Sequence, residues 1–330
     1  MSEKYFLIGP YPPPLGGVSI YIYRYSKFLE KQGKEVEFID FDKMGRLEKL
    51  KFLIHYCVMS PQKHTFHLNE FNTLTMIALL LRPFQCRIIL QNHSIRILDT
   101  FRNVKKIMTK LFIKKVDQCV LVGEHLKDGY RKNNIQLPKQ VVVKSPFIPP
   151  PLEDEEHILS TYSEEVISFL NNSEQILIGN ASKITFYKNI DLYGIDMCIE
   201  VIRILKNKYP KIGLVFALAE IGDEEYFKSM LDKIKEYKIE GNILFLTGQK
   251  ELWPLFKKSD IMIRPTYSDA YGISIEEAIY FNCRAIASNV CNRPEGTILF
   301  ENRNINDLVC NIEKCIEDMD FKEKSTWCSY

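Results

Sequence analysis

Residues 260–288 read DIMIRPTYSDAYGISIEEAIYFNCRAIAS, and the order of residue types in this stretch decides the fold. Ile261, Met262 and Ile263 form a short apolar run closed by Arg264 and Pro265, which predicts a buried strand ending at the proline. A polar loop follows over 266–270. Tyr271 and Gly272 then open a helix with apolar positions at Ile273, Ile275, Ala278, Ile279 and Phe281, and with Asn282 near its end. Arg284 leads into a second apolar run, 285–287. Strand, loop, helix and strand make one half of a parallel α/β sheet. Ligands of such sheets bind at the carboxyl ends of strands, where this loop lies.

The chemistry of the stretch is in its spacing. Asp269 and Glu277 are separated by seven residues. The first stands on the loop and the second about one and a half turns into the helix, so both can face one cleft. Between them, the N–H groups of Gly272, Ile273 and Ser274 are helix-start donors that suit a phosphate. Gly272 lets a ligand approach the backbone closely. Spacing alone also fits an ordinary βα loop with solvated acids.

The stretch RPTYSDAYGISIEEA resembles the donor-binding motif of family 4 retaining glycosyltransferases, an acid followed after seven residues by Glu-Ala. That family usually has Glu at the first position, where this chain has Asp269. The resemblance extends over most of the chain. It implies an α/β fold of GT-B type, with two Rossmann-like, doubly wound parallel-sheet domains facing a cleft. The first domain would bind the acceptor, and the second a nucleotide-diphosphate-sugar donor.

Bulk properties fit that size and class. The 330 residues suffice for two α/β domains. Hydrophobic content of 46% and charged content of 26% are those of a soluble globular protein. No apolar run approaches the roughly 20 residues of a membrane span. The chain enters a strand at 5–8 without the charged start and apolar core of a signal peptide, and a cytoplasmic location is expected. Nine cysteines without a Cys-x-x-Cys pair read as reduced core residues. Net charge is +2 but unevenly divided. Residues 1–150 hold 24 Lys+Arg against 12 Asp+Glu, and residues 151–330 hold 20 against 30. The first half is therefore expected to meet something anionic: a lipid headgroup, a diphosphate-linked acceptor or nucleic acid.

Along the first half, strand 5–8 runs through a proline-containing loop into Gly16-Gly17, a helix over 19–32 and a strand over 36–39. This order resembles the opening of family 4 enzymes, in which the Gly-Gly loop approaches the donor phosphate. A strand over 65–68 leads to Asn69 and Glu70, and a helix over 73–81 follows. The strand over 87–90 ends in Gln91-Asn92-His93-Ser94, a polar quartet where functional residues collect. His93 matches the His that many family members place at this strand end, near the transferred sugar, and is preferred to His67 as a site residue. Residues 101–116 predict a helix with Arg102, Lys105, Lys106, Lys110, Lys114 and Lys115 and no acid. It is read either as a core helix with a solvated basic face or as a helix lying on an anionic membrane. Val120 to Val122 and Val141 to Val143 are further strands.

Three consecutive prolines, Pro149 to Pro151, followed by four acids from Glu153, mark an interdomain connector. The domains are placed at 1–150 and 151–330, with the last helix, 306–319, free to pack back on the first domain. The second domain opens with a strand over 175–178 and then Gly179, Asn180, Ala181, Ser182 and Lys183. Tyr193-Gly194 opens a helix running to about 208, and strands over 213–218 and 242–246 follow with helices over 227–237 and 253–257. Family members place an Arg soon after the first strand and a Lys before the Gly of the next helix, to hold the donor diphosphate. Here Asn180 and Tyr193 stand in those places. Lys183 is therefore expected to supply the charge, with Lys188 the alternative.

The resemblance thus implies a retaining glycosyltransferase of bacterial surface-polysaccharide assembly. It would move a sugar from a nucleotide-diphosphate-sugar to a hydroxyl of a saccharide or lipid-linked saccharide acceptor. Its catalytic set would be His93, Asp269 and Glu277. Donor contacts would come from Gly16, Gly17, Asn180, Lys183, Arg264, Tyr271, Gly272, Ile273, Ser274 and Glu277. Glu277 would hold the ribose hydroxyls and Asp269 the donor sugar. No metal or other cofactor and no nucleic acid are expected. The basic stretch 101–116 would hold the protein peripherally on the inner face of an anionic membrane. A nucleotide-sugar 2-epimerase of the same architecture and a non-catalytic nucleotide-sugar-binding subunit are the competing readings.

Overall fold

The computed structural model describes residues 3–94, 98 and 103–327. Phe101 and Arg102, the first residues of the expected basic helix, lie outside the described residues. The chain forms two compact units, Met1–Ile148 and Pro149–Tyr330. The break falls in the proline-dense stretch, where missing N–H donors and fixed φ angles disfavour regular structure.

The first unit is built on six parallel strands: β1 (Lys4–Ile8), β2 (Glu35–Ile39), β3 (Thr65–Leu68), β4 (Arg87–Asn92), β5 (Gln118–Leu121) and β6 (Val141–Val143). Their order is β2-β1-β3-β4-β5-β6. Phe6, Leu7 and Ile8 are all buried, as expected of a parallel strand covered on both faces. The chain steps one way from β1 to β2 and the other way thereafter. Right-handed crossovers therefore put the helix Gly17–Lys31 on one face of the sheet. The connections that follow β2, β3 and β4 go to the other face, carrying the helices Arg46–Lys51 and Phe52–Met59, Thr73–Leu81 and Asn103–Phe112. The expected basic helix is shorter than predicted, because a 3-10 turn, Ile113–Lys115, ends it. That turn buries Ile113 and brings Lys115 Nζ to the Leu80 carbonyl, 2.7 Å away, at the end of the neighbouring helix.

The second unit has β7 (Gln175–Ala181), a small hairpin of β8 (Phe186–Tyr187) and β9 (Ile190–Asp191), then β10 (Ile212–Leu218), β11 (Ile243–Thr247), β12 (Ile261–Arg264), β13 (Arg284–Ser288) and β14 (Ile298–Phe300). The six-stranded order is β11-β10-β7-β12-β13-β14, all parallel. Successive residues alternate between two cores: Leu177, Phe216 and Ile263 on one face, Ile178, Val215 and Met262 on the other. Helices cover both faces, so the unit is doubly wound.

The sense in which successive strands are added across the sheet reverses between β7 and β12. These strands pair only at Leu177 with Ile261 and Ile178 with Met262. On its other side, β7 stays paired with β10 to Ala181, and β12 stays paired with β13 to Arg264. The carboxyl ends of β7 and β12 therefore diverge, which is the crevice at which open α/β sheets take ligands. The last helix, Ile305–Trp327, is longer than expected. It buries Leu308, Ile312 and Ile316 in the core of the second unit.

Candidate functional site

The crevice between β7 and β12 is lined by a connected polar network. Pro265 ends β12 and leaves Arg264 as its last residue. Arg264 Nε donates to Asp269 Oδ2 at 2.7 Å, and Nη1 donates to Asn180 Oδ1 at 3.1 Å and Ser274 Oγ at 3.2 Å. The guanidinium thus joins the end of β7, the loop after β12 and the first turn of the helix Ile273–Tyr280. Its central carbon lies over the Tyr193 ring, 5.9 Å from the centroid.

A second guanidinium, not anticipated from sequence, completes the network. Arg293 lies between β13 and β14, and its side chain is 1% exposed. Its Nη1 donates to Asp269 Oδ2 at 2.8 Å and to the Tyr271 carbonyl at 3.2 Å. Its Nη2 donates to Thr266 Oγ1 at 2.9 Å and Ser288 Oγ at 3.1 Å, and its Nε to the Ser288 carbonyl at 3.0 Å. Asp269 Oδ1 meanwhile accepts from the Ala270 N–H at 2.9 Å. The two guanidiniums hold the Asp269 carboxyl far below the usual carboxylate range, against the desolvation that would raise it. Both Asp269 oxygens are therefore engaged within the protein. Through these contacts the carboxylate fixes the two arginines relative to one another.

Local backbone geometry is set by the same contacts. Gly272 caps the helix with φ +91°, and a Cβ there would come within 3.0 Å of Arg293 Nη1 and 2.7 Å of Ile275 Cδ1. Only glycine admits both the left-handed conformation and the close guanidinium. The Ile275 N–H makes the first intrahelical bond, to the Gly272 carbonyl, so the N–H groups of Ile273 and Ser274 precede the ladder at the crevice. Glu277 follows Ser274 by one turn of this helix and is buried.

The other helix at this sheet end presents no such cradle. In the helix Ile195–Leu205 the Asp191 carboxylate accepts N–H bonds from Tyr193 at 3.0 Å and Ile195 at 2.7 Å. An internal anion already occupies that helix start. Lys183, expected to carry the diphosphate, is exposed on the loop after β7, outside the arginine network. That loop is held through Ile184 N–H to the Ile221 carbonyl and Glu220 N–H to the Ser182 carbonyl. Lys188 sits with Asn189 at the tip of the β8–β9 hairpin, both with positive φ, as a two-residue type I′ turn requires. The structure thus gathers Asn180, Arg264, Asp269, Tyr271, Gly272, Ile273 and Ser274, with Lys183 exposed on the loop that follows Asn180.

In the first unit the residues singled out from sequence lie at the carboxyl ends of β1, β3 and β4. His93 Nε2 bonds Asn69 Oδ1 at 3.0 Å, so with the amide oxygen as acceptor it carries the proton. The ring lies 5.2 Å from that of Tyr21. Burial lowers its pKa to about 3, and the imidazole is neutral at ordinary pH. Among the described residues its Nδ1 meets no partner. His67, by contrast, is spent on structure. Its Nδ1 pairs with Tyr5 Oη at 3.1 Å and its Nε2 with Gln91 Oε1 at 3.1 Å. Gly16 caps the helix Gly17–Lys31 with extended backbone, and its N–H donates to Ser19 Oγ at 2.9 Å. A Cβ on Gly16 would meet only that hydroxyl, at 3.9 Å, so the start of this helix is open.

Among the described residues no group of three or more His, Cys, Asp or Glu side chains could hold a metal ion. Among the described residues eight cysteines are free, five of them buried. No helix among the described residues is long and apolar enough to cross a membrane.

Residues 167–326 match the family model described as glycosyl transferases group 1. No curated protein matches the chain in sequence. Among solved structures, Anabaena HepE in complex with UDP-glucose is 14% identical, with 96% of this chain and 90% of that chain covered and a TM-score of 0.70. Sucrose-phosphate synthase from Thermosynechococcus elongatus is 15% identical, covers 96% and 90%, and has a TM-score of 0.65. A glycosyltransferase from Rickettsia africae is 15% identical, covers 97% and 89%, and has a TM-score of 0.67. At these identities the likeness establishes the fold, the GT-B architecture of two Rossmann-like domains.

Proposed function

We propose that this glycosyltransferase takes its sugar from a nucleoside-diphosphate sugar whose diphosphate lies against Arg264 and the start of the helix Ile273–Tyr280. One observation carries the reading. Two guanidiniums share the single Asp269 carboxylate at the diverging ends of β7 and β12, which leaves one net positive charge beside open helix N–H groups. A partly buried excess cation is stabilised by an anionic ligand. Structures of Anabaena HepE with UDP and with UDP-glucose support the same ligand class.

Transfer breaks the bond between sugar and phosphate, and negative charge grows on the leaving diphosphate. Arg264 and the N–H groups of Ile273 and Ser274 are fixed in advance by the network and stabilise that charge without reorganising. Asp269 and Arg293 act through Arg264 as positioning residues. Glu277 binds the ribose hydroxyls and His93 the transferred sugar, as the resemblance to family 4 implies. Neutral His93 does so as a hydrogen-bonding group. Configuration is retained, the acceptor is a saccharide hydroxyl, and a lipid-linked acceptor fits the basic first unit.

Thermal shift with a panel of nucleoside-diphosphate sugars tests donor binding, since a ligand of the native state raises apparent stability. Product analysis with the stabilising donor, alone and with saccharide acceptors, tests the reaction. Transfer to an acceptor with retained configuration is expected. A sugar inverted at C2 from donor alone would make the protein a 2-epimerase, and binding without turnover would make it a binding subunit.

A further inference from the structure

We infer that the first unit docks on an anionic lipid surface through an apolar face built by three adjacent helices, inserted into the bilayer interface. The basic stretch 101–116 is one edge of that face. The inference stands apart from the donor site; only the idea that the acceptor is lipid-linked rests on the reading above.

The face follows from topology. The connections after β2, β3 and β4 all lie on one side of the sheet, and the helix Thr73–Leu81 packs against both Phe52–Met59 and Asn103–Phe112. Each helix buries one side: Phe52 and Cys57 on the first, Met76 and Leu79 on the second, Phe112 on the third. Each also leaves an apolar stripe in water at the same i, i+3, i+7 spacing. The helix Arg46–Lys51 runs on without a break into Phe52–Met59, and on this first helix the stripe is Leu47, Leu50 and Ile54; on the second it is Leu74, Ile77 and Leu81. On the third it is Val104, Ile107 and Leu111. These nine side chains are 37% to 82% exposed. Among the described residues, ten of the sixteen strongly exposed large apolar side chains lie on these three helices, Met59 being the tenth. Concentration of that kind marks an interaction surface, where scattered single residues would not.

Charge selects the occupant. The three helices carry Arg46, Lys49, Lys51, Lys105, Lys106 and Lys110 against one acid, Glu48. Glu48 is itself used as a cap, its Oε2 accepting the Gly45 N–H at 2.7 Å. Apolar stripes between cations are the pattern of helices that lie in a membrane interface, apolar side inward and cations at anionic headgroups. Three stripes side by side make a broad face in place of the single groove that a partner helix fills. A purely electrostatic contact would vanish when salt shortens the screening length to about 3 Å at 1 M. An inserted apolar face would not.

The test is sedimentation with vesicles of phosphatidylcholine alone and with 30% phosphatidylserine, at about 0.1 M and about 1 M NaCl. The wild type is expected to pellet with the anionic vesicles at low salt and to keep at least half of that bound fraction at high salt. Replacing the most exposed residue of each stripe, Leu47→Gln, Leu81→Gln and Val104→Gln together, removes no buried contact and should leave the melting temperature unchanged. That variant should bind at low salt but lose at least fivefold at high salt. Lys49, Lys106 and Lys110 changed to Gln should weaken low-salt binding and abolish the preference for anionic lipid. Equal pelleting of the wild type and the apolar variant at both salts would overturn the proposal. So would a vesicle-free dimer of the wild type that the apolar variant dissolves, since the face would then belong to a second copy. UDP titration on the same samples reports the donor site independently.

Discussion

Arg264 Nη1 lies 3.1 Å from Asn180 Oδ1. The cation that ends β12 therefore reaches the residue near the end of β7, where the resemblance to family 4 leads one to expect an arginine. The positive charge has not been lost from this place; it comes from the opposite wall of the same crevice. Asn180, with an amide oxygen, accepts from the guanidinium where a second cation would repel it.

Arg293 makes this arrangement rigid. Its guanidinium is buried, and its loss would take this donor from the Thr266 and Ser288 hydroxyls and leave Asp269 Oδ2 with Arg264 as its remaining cation. Arg293→Ala is expected to destabilise the protein by about 3 kcal/mol, the order for breaking one partner of a buried ion pair. Urea unfolding monitored by fluorescence measures it. Arg293→Lys should recover only part of the loss, because one ammonium cannot serve all five acceptor contacts. Full stability in the alanine variant would remove Arg293 from the positioning role.

Glu277 and Glu276 are neighbours on one helix, yet only Glu277 is among the buried residues. They differ by about 100° around the axis. Glu277→Ala is expected to lose at least tenfold in turnover of the donor with the fold intact, and Glu276→Ala less than threefold. Steady-state kinetics on both variants decides. Equal activities would end the ribose assignment.

His67 gives a pH prediction. Burial lowers its pKa to about 3 from the ordinary 6.5, so the folded protein holds it neutral while the unfolded chain binds a proton below about pH 6.5. Stability therefore falls as pH drops from about 6.5 towards 3, at about 1.4 kcal/mol per unit from this residue. His67→Gln should reduce the slope of unfolding free energy against pH by about that amount between pH 6 and pH 4. An unchanged slope would mean that His67 is protonated in the folded state.

Much of this fold can be read from residue order. The apolar runs at 261–263 and 285–287 become β12 and β13, and the prolines mark the break between units. Other parts are hidden for physical reasons. Phe52–Met59 is a π-helix, whose Ser60 N–H reaches five residues back to the His55 carbonyl, so its apolar positions drift off a 3.6-residue period. Arg264 announces itself by standing between a strand and a proline. Arg293 does not: it lies 24 residues beyond Asp269, and only the pairing of β12 with β13 brings the two together. Lys183 is singled out by sequence because it follows β7 closely. The two-residue strands of the β8–β9 hairpin and the Asp191 cap on the next helix are too short to leave a periodic signal.

Arg264 is the cation proposed for the diphosphate site. Calorimetric titration of UDP into the wild type, Arg264→Gln and Lys183→Ala tests it most directly, with melting temperatures confirming that each variant is folded. A charged hydrogen bond contributes about 1.5–3 kcal/mol, so Arg264→Gln should weaken UDP binding by between about tenfold and a hundredfold, while Lys183→Ala changes it less than threefold. Wild-type affinity in Arg264→Gln together with a tenfold loss in Lys183→Ala would contradict the account.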